Sequence, residues 1–107
     1  MSERVQALEM IQEQIKELDA ILKRAGSDLN TVGGSERVAK WKVRTIPLIA
    51  AHLGQQDAQR FSDTRPGPSF TNDLLEELSD EVETYRSFLV SLAEKVKKAG
   101  DTIDGSA

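Results

Sequence analysis

The sequence predicts an all-α fold: a small helical bundle built on two long antiparallel helices, about 3–25 and 72–99, with a kinked middle helix at about 36–53. Two heptad seams and the absence of any alternating strand pattern carry that reading. Leu75, Leu78, Val82, Tyr85, Leu89, Leu92, Val96 and Ala99 are spaced 3-4-3-4-3-4-3. Leu8, Ile11, Ile15, Leu18, Leu22 and Ala25 repeat 3-4-3-4-3. Such periods mark one apolar face of a helix. Leu74, Phe88 and Ala93 flank the later seam and widen it, which suits contact with two neighbours in a bundle better than a two-stranded coiled coil.

The first helix is expected to start after Ser2 and to stop at Gly26. Residues 26–35, which include Gly26, Gly33, Gly34 and Ser35, read as a loop, with Ser35 capping the next helix. That helix spans 36–53, with Val38, Trp41, Thr45, Leu48, Ile49 and Leu53 facing inward. Pro47 lies within it and predicts a kink or break near 44–46, because Pro lacks the helical N–H donor. Residues 55–61 read as a short helical turn with Ala58 and Phe61 inward. Residues 62–69, with Pro66 and Pro68, read as a connector pinned by Phe61 and Phe70. Ser69, Thr71 and Asn72 are the candidate caps of the long second helix, and Gly100 its expected stop. The predicted organisation is a single domain over 1–100 with a flexible tail at 101–107.

Composition narrows the function classes. The chain has 107 residues, 38% hydrophobic and 30% charged, enough for one modest core. It has no Cys, which removes disulfides, thiol nucleophiles and thiolate metal sites and favours a cytoplasmic setting. No apolar run is long enough to span a membrane, so no membrane role is expected. Residues 1–53 carry 8 Lys/Arg against 7 Asp/Glu, and residues 54–107 carry 6 against 11, within a net charge of −4. A mildly acidic chain is not a default nucleic-acid binder.

Three local clusters are candidates for function. Arg37, Lys40, Lys42 and Arg44 surround Trp41, a pattern able to hold an anion or a nucleic-acid backbone with a base stacked on the indole. The opposing expectation is that Trp41 is core and the bases are its rim, facing the acids of the last helix. Asp73, Glu76, Glu77 and Asp80 share one helical face and form a candidate acidic partner face. They lack the imidazole partners of a carboxylate-bridged di-metal bundle and the spacing of a calcium loop, so no metal or other cofactor is expected. His52 stands alone near a helix end, without an orienting partner, and reads as a surface or C-terminal capping group. With no nucleophile–base pair in view, the sequence predicts a non-enzymatic protein.

The series Trp41-Lys42-Val43-Arg44-Thr45, Leu48, Phe61, Phe70, Glu77-Leu78, Glu81-Val82, Tyr85 and Phe88-Leu89 resembles helical accessory segments of uncharacterised bacterial multidomain proteins. Some of those segments resemble partners of nucleotide-signalling or defence effectors. The resemblance covers about residues 36–97 and implies a bacterial interaction domain; no functional residue carries over from it. The expectation is therefore a protein–protein interaction or oligomerisation module. Its partner is another protein or a second copy of the chain, as in a homodimer. Nucleic-acid binding through the Trp41 helix is the alternative.

Overall fold

A computed structural model describes the backbone of residues 3–68 and 72–106, and side chains of 3–68 and 72–98. Four helices follow in order: α1 (Glu3–Asp28), α2 (Thr31–Leu53), α3 (Gln55–Asp63) and α4 (Leu74–Ser106). No strand occurs among the described residues. Helix α1 packs along both α2 and α4, α3 packs on α2, and α2 and α4 touch only sparingly. Asp19 pairs with Arg86 at 3.3 Å, while Ala25, nearer the end of α1, lies by Gly34 and Leu78. Helix α4 therefore runs antiparallel to α1. Gln14 bonds to Trp41 and Thr45, so α2 is antiparallel to α1 as well and parallel to α4.

Both seams are interior. Ile11, Leu18, Trp41, Ile49, Phe61 and Leu89 are fully enclosed, Leu78, Val82, Tyr85 and Leu92 nearly so, and Ile15, Leu22 and Val96 pack against them. The register on α1 is turned slightly from the expected one. Ala7, Ile11, Gln14, Leu18 and Ala25 form its buried line, with Leu8 and Ile15 half-buried beside it. Gln14 takes an inner position because its partners are there. Trp41 Nε1 donates to the Gln14 carbonyl at 3.1 Å, and the Thr45 hydroxyl lies 3.0 Å from the Gln14 side-chain oxygen and 2.7 Å from the Trp41 carbonyl. A hydroxyl has one proton. Donating it to the Trp41 carbonyl and accepting from a turned Gln14 amide satisfies both contacts.

The expected loop at 26–35 is instead a two-residue corner. Helix α1 continues through Gly26 to Asp28. Leu29 then takes a left-handed conformation, φ 54°, and the Asn30 N–H bonds back to the Ala25 carbonyl at 3.2 Å. This is the 6→1 bond of a Schellman stop, with Leu29 where Gly is usual. Asn30 also caps α2: its side-chain oxygen accepts from the Gly33 N–H at 2.9 Å, so Asn30, and not Ser35, is the N-cap. Gly34 is buried, and a Cβ there would stand 2.8 Å from both Ala25 Cβ and Leu78 Cδ2. Its lack of a side chain is what lets α2 approach α1 and α4 this closely.

Helix α2 runs unbroken through Pro47, which contradicts a break at 44–46. The ring is exposed, and the carbonyl it leaves without a partner belongs to exposed Val43, within reach of water. Leu48, expected inward, is exposed at 36%. The cap of α4 is Asp73, whose carboxylate accepts from the Leu75 and Glu76 N–H groups at 3.0 and 3.3 Å, in place of Asn72. Gly100 does not end α4; one Gly inside a helix costs only about 1 kcal/mol relative to Ala. The expectations for Ser2, Ser69, Phe70, Thr71 and the Ala99 side chain lie outside the described residues.

Candidate docking groove and the basic helix

The four bases around Trp41 part company in the structure. Trp41 is fully buried and offers no face for a base to stack on. Its ring packs edge-on to Phe61, centroids 5.8 Å apart, and 6.0 Å from Tyr85, while Phe61 also meets Phe88 at 5.4 Å. Such pairs contribute about 0.5–1.5 kcal/mol each beyond their buried area. Lys42 folds inward over this cluster. Its Nζ lies 4.8 Å from the Tyr85 ring centre and donates to the Thr64 carbonyl at 2.8 Å. Burial, and then Arg65, lower its pKa, against the opposing pull of Glu81 and Asp63. Arg37 is half-buried, with Nη1 enclosed and without a hydrogen-bond partner. Only Lys40 and Arg44 stand fully in solvent. The indole is therefore core, as the opposing expectation had it, and the alternative of a base stacked on it has no exposed surface. His52 is exposed in the last turn of α2.

The acidic face lies at the opposite edge of α2. Helix α3, nine residues long, fills the gap between α2 and α4 only at one end, where Phe61 seats against Tyr85 and Phe88. At the other end an open groove of about 650 Å³ lies between the N-terminal halves of α2 and α4. Thr31, Val32, Ser35 and Glu36 form one wall, and Leu74, Glu77, Asp80, Glu81 and Thr84 the other. Buried Leu78 also lines it, and Pro66, Gly67 and Pro68 of the connector close a side. Val32 and Leu74 are 66% and 58% exposed.

Of the acids expected to share a face, Glu77 and Asp80 reach the groove, Asp73 is spent as the cap of α4, and Glu76 is exposed but not among the lining residues. Glu36 and Glu81 complete the lining. Glu81 belongs to the acidic run of α4 but not to the four that share the expected partner face, and Glu36 was outside the candidates because it sits on another helix. Burial raises the Glu81 pKa, and Lys42 only partly opposes this. The four carboxylates are dispersed: among the described residues no group of three or more His, Cys, Asp or Glu side chains is placed to hold a metal ion.

A smaller cavity of about 320 Å³ lies between α3 and α4, beside Arg60 and Lys95. Both cations are already paired with buried Asp57, at 3.6 and 3.1 Å. Among the described residues no helix is long and apolar enough to cross a membrane.

Fold and surface together define a helical bundle with an open acidic groove between two parallel helix ends. Comparison with known protein families, with curated proteins and with solved structures finds no match to this chain.

Proposed function

We propose that this chain is a protein–protein interaction module, and that the groove between α2 and α4 is where its partner docks. The observation that carries the reading is the pair of exposed aliphatics, Val32 and Leu74, flanking a cleft that reaches buried Leu78. Exposed apolar side chains around a concavity are the ordinary makings of a helix-in-groove contact. The groove lies where a longer α3 would have continued, so a helix from outside completes the packing that the chain leaves unfinished.

The test uses the full chain as bait, together with Val32→Asp/Leu74→Asp and, as a control, Val43→Asp/Val90→Asp, whose sites are also exposed but lie off the groove. Removing exposed side chains changes stability by no more than about 0.5 kcal/mol each, so both variants fold. Partners captured by the parent and the control, and lost by the groove variant, support the reading. Partners retained by the groove variant overturn it. Light scattering at two concentrations identifies a second copy as the partner if the mass rises with concentration in the parent and not in the groove variant.

A further inference from the structure

We infer that the groove selects a basic amphipathic helix, one that sets an aliphatic residue between Val32 and Leu74 and Lys or Arg side chains against Glu36, Glu77, Asp80 and Glu81. This rests on the docking reading above and names the chemistry of the partner.

Three observations converge on that occupant. The first is charge. The lining carries four carboxylates and no cationic side chain. None of the four makes an ion pair among the described residues. The Lys42 ammonium, the cation nearest Glu81 in its electrostatic effect, is turned toward Tyr85 and the Thr64 carbonyl. Asp73 at the first turn of α4 answers the helix dipole, but Asp80 and Glu81 lie two turns into α4 and Glu36 is past the first turn of α2, where that effect has faded. Dipole compensation accounts for Glu77, in the first turn of α4, but not for Glu36, Asp80 and Glu81.

The second is dispersion. The carboxylates are spread over two helices and do not converge as a metal shell would. A row of separated negative charges matches a row of separated positive ones, as on one face of a helix with bases at i, i+3, i+4 and i+7. The third is length. The α4 wall from Leu74 to Thr84 rises about 15 Å, three turns of a docked helix. Helix α3 occupies the gap between α2 and α4 further up.

The full chain, isotope-labelled, is titrated with three synthetic helix-forming peptides of about 14 residues, a length matched to the groove. They share one stripe of Leu and carry Lys, Gln or Glu on the flanks. The Lys peptide is expected to move the backbone amides of Val32, Glu36, Leu74, Glu77 and Glu81, and to bind at least ~10-fold more tightly than the Gln peptide, with a preference that shrinks as salt rises. Glu77→Lys/Glu81→Lys is expected to lose at least ~10-fold in affinity for it, and Glu9→Lys/Glu13→Lys, on the exposed face of α1, to lose nothing. Should the charge-reversed chain fail to fold, Glu77→Gln/Asp80→Gln gives the same comparison with a smaller loss.

Equal binding of the Lys and Gln peptides at those amides, abolished by Val32→Asp/Leu74→Asp, overturns the cationic preference and leaves the docking groove standing. Tighter binding of the Glu peptide also overturns the preference. Peptides that move only amides outside the groove overturn both readings. Displacement of the Lys peptide by micromolar calcium would also refute the inference, because it would mean that the carboxylates gather around a metal ion.

Discussion

Gly34→Ala sets two effects of opposite sign against each other. Ala is favoured over Gly inside a helix by about 1 kcal/mol, so the substitution on an open helical surface stabilises. At Gly34 the new Cβ stands 2.8 Å from Leu78 Cδ2 and 2.8 Å from Ala25 Cβ. The leucine methyl can turn aside. The Ala25 Cβ is held by the α1 backbone, so the two helices must separate. Overpacking of this kind costs about 1–3 kcal/mol. The net expectation is a loss of about 1 kcal/mol, or about 4 °C in Tm for a domain of this size. Gly26 is the internal control: it too is helical, and a Cβ there meets nothing within 4 Å. Gly26→Ala is therefore expected to gain about 1 kcal/mol. The difference between the two variants cancels the propensity term and isolates the contact. Urea and thermal unfolding followed by circular dichroism at 222 nm measures both. Ala25→Gly introduced into Gly34→Ala is expected to restore part of the loss, giving a coupling energy of about 1 kcal/mol in a double-mutant cycle. Stabilisation of both glycine variants alike would refute the packing argument and return residues 33–35 to the flexible loop that composition suggests.

Leu29→Gly is expected to stabilise by about 0.5–1 kcal/mol in the same assay, since Leu29 is 80% exposed and held at φ 54°, a conformation that Gly adopts without strain. Glu81→Gln is expected to raise stability at pH 7. The folded chain holds the Glu81 proton to higher pH than the unfolded chain does, so the parent loses stability as pH rises from 4.5 through the folded pKa, and the variant lacks that component; identical pH profiles would show that the carboxylate is not desolvated. Gln14→Ala leaves the Thr45 hydroxyl with its bond to the Trp41 carbonyl but opens a gap beside it, for an expected loss of about 1–3 kcal/mol by urea titration. A loss no larger than that of an exposed substitution would place Gln14 outside the core.

How much of this could be read beforehand depends on whether a feature leaves a period in the chain. The seams did. Apart from Leu48, every described residue of the two seams and of the expected inner faces of α2 and α3 is buried or half-buried, because a helix that packs along its length must repeat its apolar side every 3.6 residues. The register of α1 was less legible. Ile15 is the better hydrophobe, yet Gln14 takes the inner place, where its side-chain amide meets the Thr45 hydroxyl, a contact across to α2 that is invisible in a one-dimensional pattern. The corner at Leu29 and Asn30 was hidden for a related reason. Gly33 and Gly34 signal freedom when read locally, but the bareness of Gly34 serves contact with Ala25 and Leu78, residues 9 and 44 positions away. Trp41 was open to both readings until Phe61 and Tyr85 were found against it.

The groove follows from the unequal lengths of two helices. Helix α2 has 23 residues and α3 nine, about 35 Å against about 14 Å. A nine-residue helix laid in the gap between α2 and α4 leaves more than half of it uncovered, whatever its sequence. What the lengths do not say is which end stays open, and that is decided by Phe61. The only large aromatic on α3, it seats among Trp41 at the middle of α2 and Tyr85 and Phe88 of α4, all C-terminal to the residues that line the groove on their own helix. The uncovered end is then the one that holds Glu36, Glu77, Asp80 and Glu81. One aromatic anchor thus places the core and, by default, leaves the acids around an open cleft.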